Sequence, residues 1–337
     1  MNKLTTLCYI EKDNKYLMLH RIKKENDINH DKWIGVGGKF EWGESPEECM
    51  LREVREETGY TLTSWQYRGI ITFVLGEDTV EYMSLFTADG FEGTPIDCNE
   101  GVLEWVEKDR ISELNLWEGD RIFFRLLEEQ KEFFSLKLVY NKQDILEQAV
   151  LDAKELELFD ILNEDGSKTG VVKERGVAHR EGALHGTVHI WIVRENDKSG
   201  YDVLLQKRSD NKDSYPGCYD ISSAGHISAG DGVMESALRE FEEELGLSAQ
   251  PEQLELFGTT LVKFGTTFAG KIFRDNEFSN DFVYRQPVDK LKLQESEVAE
   301  VCWMDYEECR EKIADVAIPN CINPEEFEKL GSYLGIC

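Results

Sequence analysis

The segment GKFEWGESPEECMLREVREETGY, Gly38 to Tyr60, recurs 187 residues later as GHISAGDGVMESALREFEEELGL, Gly225 to Leu247. Gly38, Arg52, Glu53, Glu56, Glu57 and Gly59 fall on Gly225, Arg239, Glu240, Glu243, Glu244 and Gly246 at identical internal spacing. A repeat of that length means that one folding unit is used twice. The flanks repeat as well. An apolar strand-like run ending in basic residues precedes each copy, YLMLHR at Tyr16 to Arg21 and DVLLQKR at Asp202 to Arg208. Further β-rich runs follow each one, and both units close on an acidic stretch ending in tryptophan, EGVLEW at Glu100 to Trp105 and EVAEVCW at Glu297 to Trp303. The 337 residues suit two domains of ordinary size, 1–152 and 153–337. The acidic QAVLDAKELE run, Gln148 to Glu157, reads as a helical separator; with no Gly/Ser- or Pro-rich linker, the domains are expected to dock.

The 38 Lys and Arg stand against 67 Asp and Glu, a net charge of −29. Non-specific affinity for DNA or RNA comes from basic side chains that neutralise phosphates, so a polymeric nucleic-acid partner is disfavoured. Small anionic substrates remain compatible, because carboxylates that gather a divalent cation invert the local field. Cys8, Cys49, Cys98, Cys218, Cys302, Cys309, Cys321 and Cys337 include no CxxC pair and no zinc-ligand spacing, which favours reduced thiols and a cytoplasmic setting. The first twenty residues carry early charges and do not read as a secretory signal, and no 18-residue run is free of charge, so no membrane span is expected. The sequence leaves the oligomeric state open.

Ser45-Pro46-Glu47-Glu48 reads as a helix start: Ser at the N-cap, Pro at the first helical position, and Glu three residues after the cap. The helix then runs to Thr58 and stops at Gly59, with Cys49, Leu51 and Val54 on its apolar side. Glu53, Glu56 and Glu57 share a face at i, i+3 and i+4. Like charges at that spacing cost a few tenths of a kcal/mol per pair, and the negative end of the helix dipole adds to the cost. A solvated acidic face is the plain reading of such a run. A hard divalent cation held by the carboxylates and by substrate phosphates is the functional one, and the repetition of the triplet after the same Gly-rich loop favours it.

With seven residues between Glu44 and Arg52-Glu53-Val54-x-Glu56-Glu57-x-Gly59, the first copy resembles the Nudix box of pyrophosphohydrolases, with Tyr60 where an aliphatic residue usually stands. The second copy resembles it too, with Asp231 replacing the leading Glu. The resemblance implies an α/β (α+β) architecture, two tandem α/β/α sandwiches with mixed β-sheets. It implies Mg²⁺ or Mn²⁺ held by Glu53, Glu56 and Glu57, by the Gly37–Gly38 carbonyl region and by Glu100 from a distant loop, with Glu53 preferred as the group that activates water. Arg52 would pair with Glu44 to brace loop and helix. Gly225, Glu240, Glu243, Glu244 and, less securely placed, Glu297 take the metal-binding roles in the second copy, with Asp231 and Arg239 as the brace. The implied reaction is attack of water on a phosphorus of a diphosphate.

The first unit is similar to MutT-type, in particular MutX-type, 8-oxo-dGTP diphosphatases, which implies conversion of 8-oxo-dGTP to the monophosphate and pyrophosphate. Arg21 and Lys39 are then expected at phosphate, Trp117 to stack on a purine and Asp120 to bond the base edge; a core aromatic is the plain reading of Trp117. Ile34 and Gly119 depart from the Asn and from one of the two Asp residues of the human enzyme. The second unit is similar to isopentenyl-diphosphate-isomerase-like Nudix proteins. True isomerases carry a Cys where this chain has Ala224, so hydrolysis of a second nucleoside-diphosphate-linked or other diphosphate is favoured over isomerisation. A non-catalytic sensor would be expected to lose the helix glutamates, which are intact. His179, His185, His189 and His226 each read singly as structural, although positions like His179, His185 and His226 help bind a metal in isomerases. Phe273 to Tyr284 is expected to help line a pocket.

Overall fold

A computed structural model describes residues 3–24, 27–212, 214–268, 271–314 and 317–336. Cys337 lies outside the described residues; the other seven cysteines are free thiols. The chain divides into two units, 1–158 with 172–177 and 159–171 with 178–337.

The first unit is built on β1 (Lys3–Lys12), β2 (Lys15–His20), β3 (Trp33–Ile34), α1 (Pro46–Thr58), β4 (Tyr60–Leu75), β5 (Thr79–Gly93), β6 (Val102–Glu107), α2 (Asp120–Glu128), β7 (Phe134–Tyr140), β8 (Leu146–Leu151) and β9 (Lys154–Glu155). Its sheet runs β3-β2-β1-β5-β4-β7-β8-β9, with β6 paired to β2. It is mixed: β1 lies parallel to β5, β4 parallel to β7, and the remaining pairs are antiparallel. Alternation along β1 sends side chains to opposite faces. Cys8 and Ile10 pack with Met50 and Val54 of α1. Tyr9 turns the other way, its ring centroid 4.7 Å from that of Phe124 on α2. The sheet is therefore covered on both faces, as the α/β/α expectation requires.

The QAVLDAKELE run is not a helix. Its residues form β8 and β9, which extend the sheet; Ala149 is buried opposite Leu138, and the i, i+2 placement of Gln148 and Val150 suits a half-buried strand.

The second unit continues with β10 (Leu158–Leu162), β11 (Lys168–Glu174), α3 (Arg175–Glu181), β12 (His185–Glu195), β13 (Tyr201–Arg208), β14 (Tyr219–Asp220), β15 (Ser223–His226), α4 (Val233–Leu245), β16 (Leu254–Phe268), β17 (Lys271–Tyr284), β18 (Val298–Asp305), α5 (Tyr306–Ala314) and α6 (Pro324–Leu334). β12 pairs antiparallel with β13 and parallel with β17, β13 with β18, and β16 with β17, the same scheme as β1, β2, β5, β6 and β4. Val188, Ile190 and Ile192 face Ala237, Phe241 and Leu245 of α4. Trp191 and Val193, one residue out of phase, face Tyr306, Ile313, Phe327 and Leu330 of α5 and α6. At about 1.5–3 kcal/mol per fully buried apolar side chain, these two layers hold the sheet that carries the site.

Candidate active sites

Helix α1 begins where the sequence places it. The Ser45 hydroxyl accepts from Glu48 N–H at 3.2 Å, and Glu48 Oε2 accepts from Ser45 N–H at 2.8 Å. Gly59 ends the helix at φ 76°, a left-handed conformation that suits glycine. Arg52 is the hub. Its Nε and Nη2 donate to the two oxygens of Glu44 at 2.7 and 2.9 Å, Nη2 also to Lys39 O at 3.0 Å, and Nη1 to Glu53 at 2.7 Å and Glu56 at 3.3 Å. The expected brace is present, and the guanidinium also offsets part of the repulsion between the helix acids. Paired with Arg52, the Glu44 carboxyl is held down to about 2.

The three glutamates differ in burial, Glu56 exposed, Glu53 half-buried and Glu57 buried. Burial pushes the Glu57 pKa up to about 8; Gly37 N–H, donating to Oε2 at 2.9 Å, works against that, while Glu100 and Glu53 add to it. Glycine is required at 37, where a Cβ would lie 2.1 Å from Thr6 O; at 38 a Cβ would lie 2.4 Å from the Glu53 carboxylate and displace it. The Gly38 carbonyl expected among the ligands accepts from Thr6 N–H at 2.9 Å and from the weak Cys49 S–H donor at 3.7 Å. Glu100 is gripped by Arg21 and Lys24, and Arg21 also holds Asp27. Arg21 is thus engaged by carboxylates.

Beside these acids lies a cavity of about 770 Å³ that Arg21, Lys39, Gly38, Glu53 and Glu100 border together with Ile34, Phe73, Met83, Trp117 and Asp120. Trp117 is both core and wall: it is buried edge-on against Phe73 at 5.1 Å, and its Nε1–H donates to Asn29 Oδ1 at 2.9 Å. Asp120 opens α2, and burial raises its pKa to about 8 against the pull of Lys32 and Arg121. At neutral pH it is a carboxylic acid that can donate a hydrogen bond. No acid fits at 119, where a Cβ would lie 2.5 Å from the Tyr140 hydroxyl that accepts from Gly119 N–H. Sequence reasoning missed Asn29, Phe73 and Met83, which are scattered and carry no motif.

The second unit repeats the plan with changes. Arg239 reaches Asp231 through Nη1 alone, with Nη2 on His226 O and Glu240 at 3.2 and 3.3 Å. The shorter acid meets one prong of the fork, where Glu44 meets two. Glu243 is exposed and Glu244 buried. Burial pushes Glu244 up to about 7, while bonds from Ser223 and from Ala224 N–H, at 3.1 Å, pull it down. A Cβ at Gly225 would lie 2.1 Å from Glu240 Cδ. Glu297 is held by Lys212, as Glu100 is by Arg21.

Singly the histidines gave no site, but the fold brings them together. Ligating atoms of His179, His185 and His226 lie within 4.8 Å of one another, and so do those of His185, Asp275 and Glu277. His179 Nε2 is 3.8 Å from Asp275 and His226 Nε2 3.7 Å from Glu277. Phe159 stacks on His185 and His226, both at 4.7 Å. Imidazoles and carboxylates in one partly buried cluster are a donor set that suits a divalent ion. Asp275, Glu277 and Asp281 were legible only as alternate residues of a strand, which share one face.

A Nudix-domain family model matches residues 1–127 and 183–320. The chain therefore belongs to the Nudix family, hydrolases that act on small-molecule phosphoanhydrides with divalent metal ions, and it holds two such domains in tandem. Among its relatives, Nudix hydrolase 3 of Arabidopsis thaliana is 46% identical over 158 residues, 46% of this chain but only 20% of that protein. An oxidized purine nucleoside triphosphate hydrolase of Danio rerio is 30% identical over 155 residues, 46% of this chain and 97% of that protein. A MutT protein structure from Bacillus halodurans aligns at 28% identity with a TM-score of 0.40, covering 44% of this chain and 97% of that one. Among the described residues, no helix is long and apolar enough to cross a membrane.

Proposed function

We propose that the chain is a tandem pyrophosphohydrolase whose first domain converts 8-oxo-dGTP, or a related nucleoside triphosphate, to the monophosphate and pyrophosphate. The observation that carries this reading is the cavity of about 770 Å³ that Glu53 and Glu100 border together with Trp117 and Asp120, whose pKa burial raises to about 8. Glu53, Glu56 and Glu57, with Glu100 and the Gly38 carbonyl once the weak Cys49 S–H bond gives way, would hold Mg²⁺ or Mn²⁺, which when bound neutralises charge on phosphate oxygens and makes water more acidic. Arg52 keeps Glu53 and Glu56 aligned; Glu44 keeps Arg52 in place. Glu53 borders the cavity and is the group to take the proton of the attacking water. Lys39, and Arg21 once Glu100 turns to a cation, meet the phosphates. Trp117 and Phe73 supply apolar contact for a purine. Asp120 donates to an acceptor on its edge, a contact that a mismatched base leaves unpaired.

The second domain is proposed to hydrolyse a different diphosphate through Glu240, Glu243 and Glu244, with His179, His185, His226, Asp275 and Glu277 holding a further divalent ion that would anchor a second anionic group. Ala224 offers no thiol for isomerisation. Both domains are expected to act in the cytoplasm on small molecules. The deciding experiment assays wild type, Glu56→Gln and Glu243→Gln with Mg²⁺ against 8-oxo-dGTP, dGTP, ADP-ribose, NADH and isopentenyl diphosphate. Glu56→Gln should abolish 8-oxo-dGTP hydrolysis and Glu243→Gln should abolish a different activity. A Glu56→Gln protein that still hydrolyses 8-oxo-dGTP refutes the first assignment, and a silent Glu243→Gln favours a sensor.

A further inference from the structure

Next to the imidazole cluster lies a polar layer for which the proposed reaction has no use. Glu326, in the first turn of α6, is 1% exposed. Its Oε1 accepts from Trp191 Nε1–H at 2.7 Å and its Oε2 lies 2.8 Å from His189 Nδ1. A carboxylate only accepts, so Nδ1 carries the proton of that bond. Asp281, fully buried, takes the hydroxyls of Ser279 and Thr260 at 2.5 and 2.7 Å, and its Oδ1 is 3.9 Å from His189 Nδ1.

Donor atoms of His189, Asp281 and Glu326 stand within 4.8 Å of one another, close enough for a metal site. Both carboxylates, however, are already engaged by N–H and O–H donors on each oxygen. This layer is a hydrogen-bonded support. What it leaves over is His189 Nε2, which points out of the layer and lies 4.0 Å from Glu277 Oε2; the other oxygen of Glu277 is the one beside His226. Two buried acids and a third partly buried around one imidazole are an expensive way to fill a core, since each buried charge costs several kcal/mol unless paired. Its geometric product is a single oriented ring aimed at Glu277.

We infer that His189 and Glu326 are positioning residues of the second domain: Glu326 on the last helix locks the His189 ring, and His189 holds the Glu277 carboxylate in register with His226 and His185. This rests on the reading that the imidazole cluster binds a divalent ion. Supports of this kind, one bond removed from the ligands, orient them, and their loss typically lowers metal affinity 10–100-fold.

The test is Mn²⁺ binding to the full chain, followed by titration calorimetry and by the electron paramagnetic resonance of the bound ion, with melting temperatures recorded alongside. His226→Ala identifies the cluster's site by deleting it, and Glu240→Gln identifies the helix site of the same domain. His189→Gln and Glu326→Gln are expected to weaken the first site about 10–100-fold and leave the second within twofold. Trp191→Phe, which keeps the His189–Glu326 bond, is expected to lower the melting temperature and leave both affinities unchanged. His189→Gln with wild-type affinity at the cluster overturns the inference. Should Glu326→Gln fail to fold, His189→Gln decides alone. A His226→Ala protein that binds as many Mn²⁺ ions as wild type refutes the metal reading of the cluster itself, whatever the His189 variants do.

Discussion

Gly38→Ala is the sharpest perturbation the geometry offers. A Cβ at this position would sit 2.4 Å from both Cδ and Oε1 of Glu53 and 2.6 Å from Oε2, where ordinary contacts begin near 3.4 Å. The carboxylate must therefore retreat by about 1 Å. The atoms that move are the far end of a flexible side chain, and the Gly38 backbone is not in the left-handed region, so folding stability should change by less than ~1 kcal/mol, at most about 4 °C in melting temperature. A misplacement of about 1 Å in a catalytic group costs on the order of 100-fold in rate. The assay is pyrophosphate release from 8-oxo-dGTP at saturating Mg²⁺, read as kcat/KM beside a thermal melt. The expected result is a loss of about 100-fold in a folded protein. Gly225→Ala, whose Cβ would meet Glu240 Cδ at 2.1 Å, should leave that activity intact and remove the second domain's instead. A folded Gly38→Ala protein within threefold of wild type would refute the role given to Glu53.

Asp120 has a folded pKa of about 8 against 3.8 for the free side chain, so stability is complete below pH 3.8 and is lost as pH rises toward 8, by at most about 1.4 kcal/mol per unit. Asp120→Asn should therefore melt higher than wild type at pH 8, by up to roughly 5 kcal/mol, and equal it near pH 4; equal melting at both would contradict the buried acid. Metal ligands must be deprotonated, and Glu57 is raised to about 8, so hydrolysis at subsaturating Mg²⁺ should climb with pH between 6 and 8 and level above, and chelation should abolish it. Ser45→Ala should cost about 1 kcal/mol by urea unfolding. Gly232, the extended N-cap of α4, has open space around it and no side chain to cap the helix, so Gly232→Ser should gain a few tenths of a kcal/mol.

The repeat made the number of domains, the strand runs and both glutamate helices legible, because an i, i+3, i+4 acid face and a terminal glycine, with a capping box in the first copy, are local and carry their own physics. QAVLDAKELE misled because its apolar residues fit two periods, and the free edge of β7 decided for a strand. Gly38 and Glu53 were legible as members of one motif. That a methyl group would not fit between them was not, since the fit depends on how β1 and α1 pack.

What the sequence determined by itself is the acid cluster of each domain, written within 23 consecutive residues. What only the tertiary structure decided is everything assembled across distance. Trp117 and Asp120 join Glu53 at one cavity because neighbouring strands β1, β5 and β4 bring Leu7, Met83 and Phe73 to the same wall. Four histidines from α3, β12 and β15 meet acids from β17 and α6 because parallel pairing of β12 with β17 sets His185 beside Glu277 and His189 beside Asp281. Register and packing carry that information, and neither has a period that a single sequence displays.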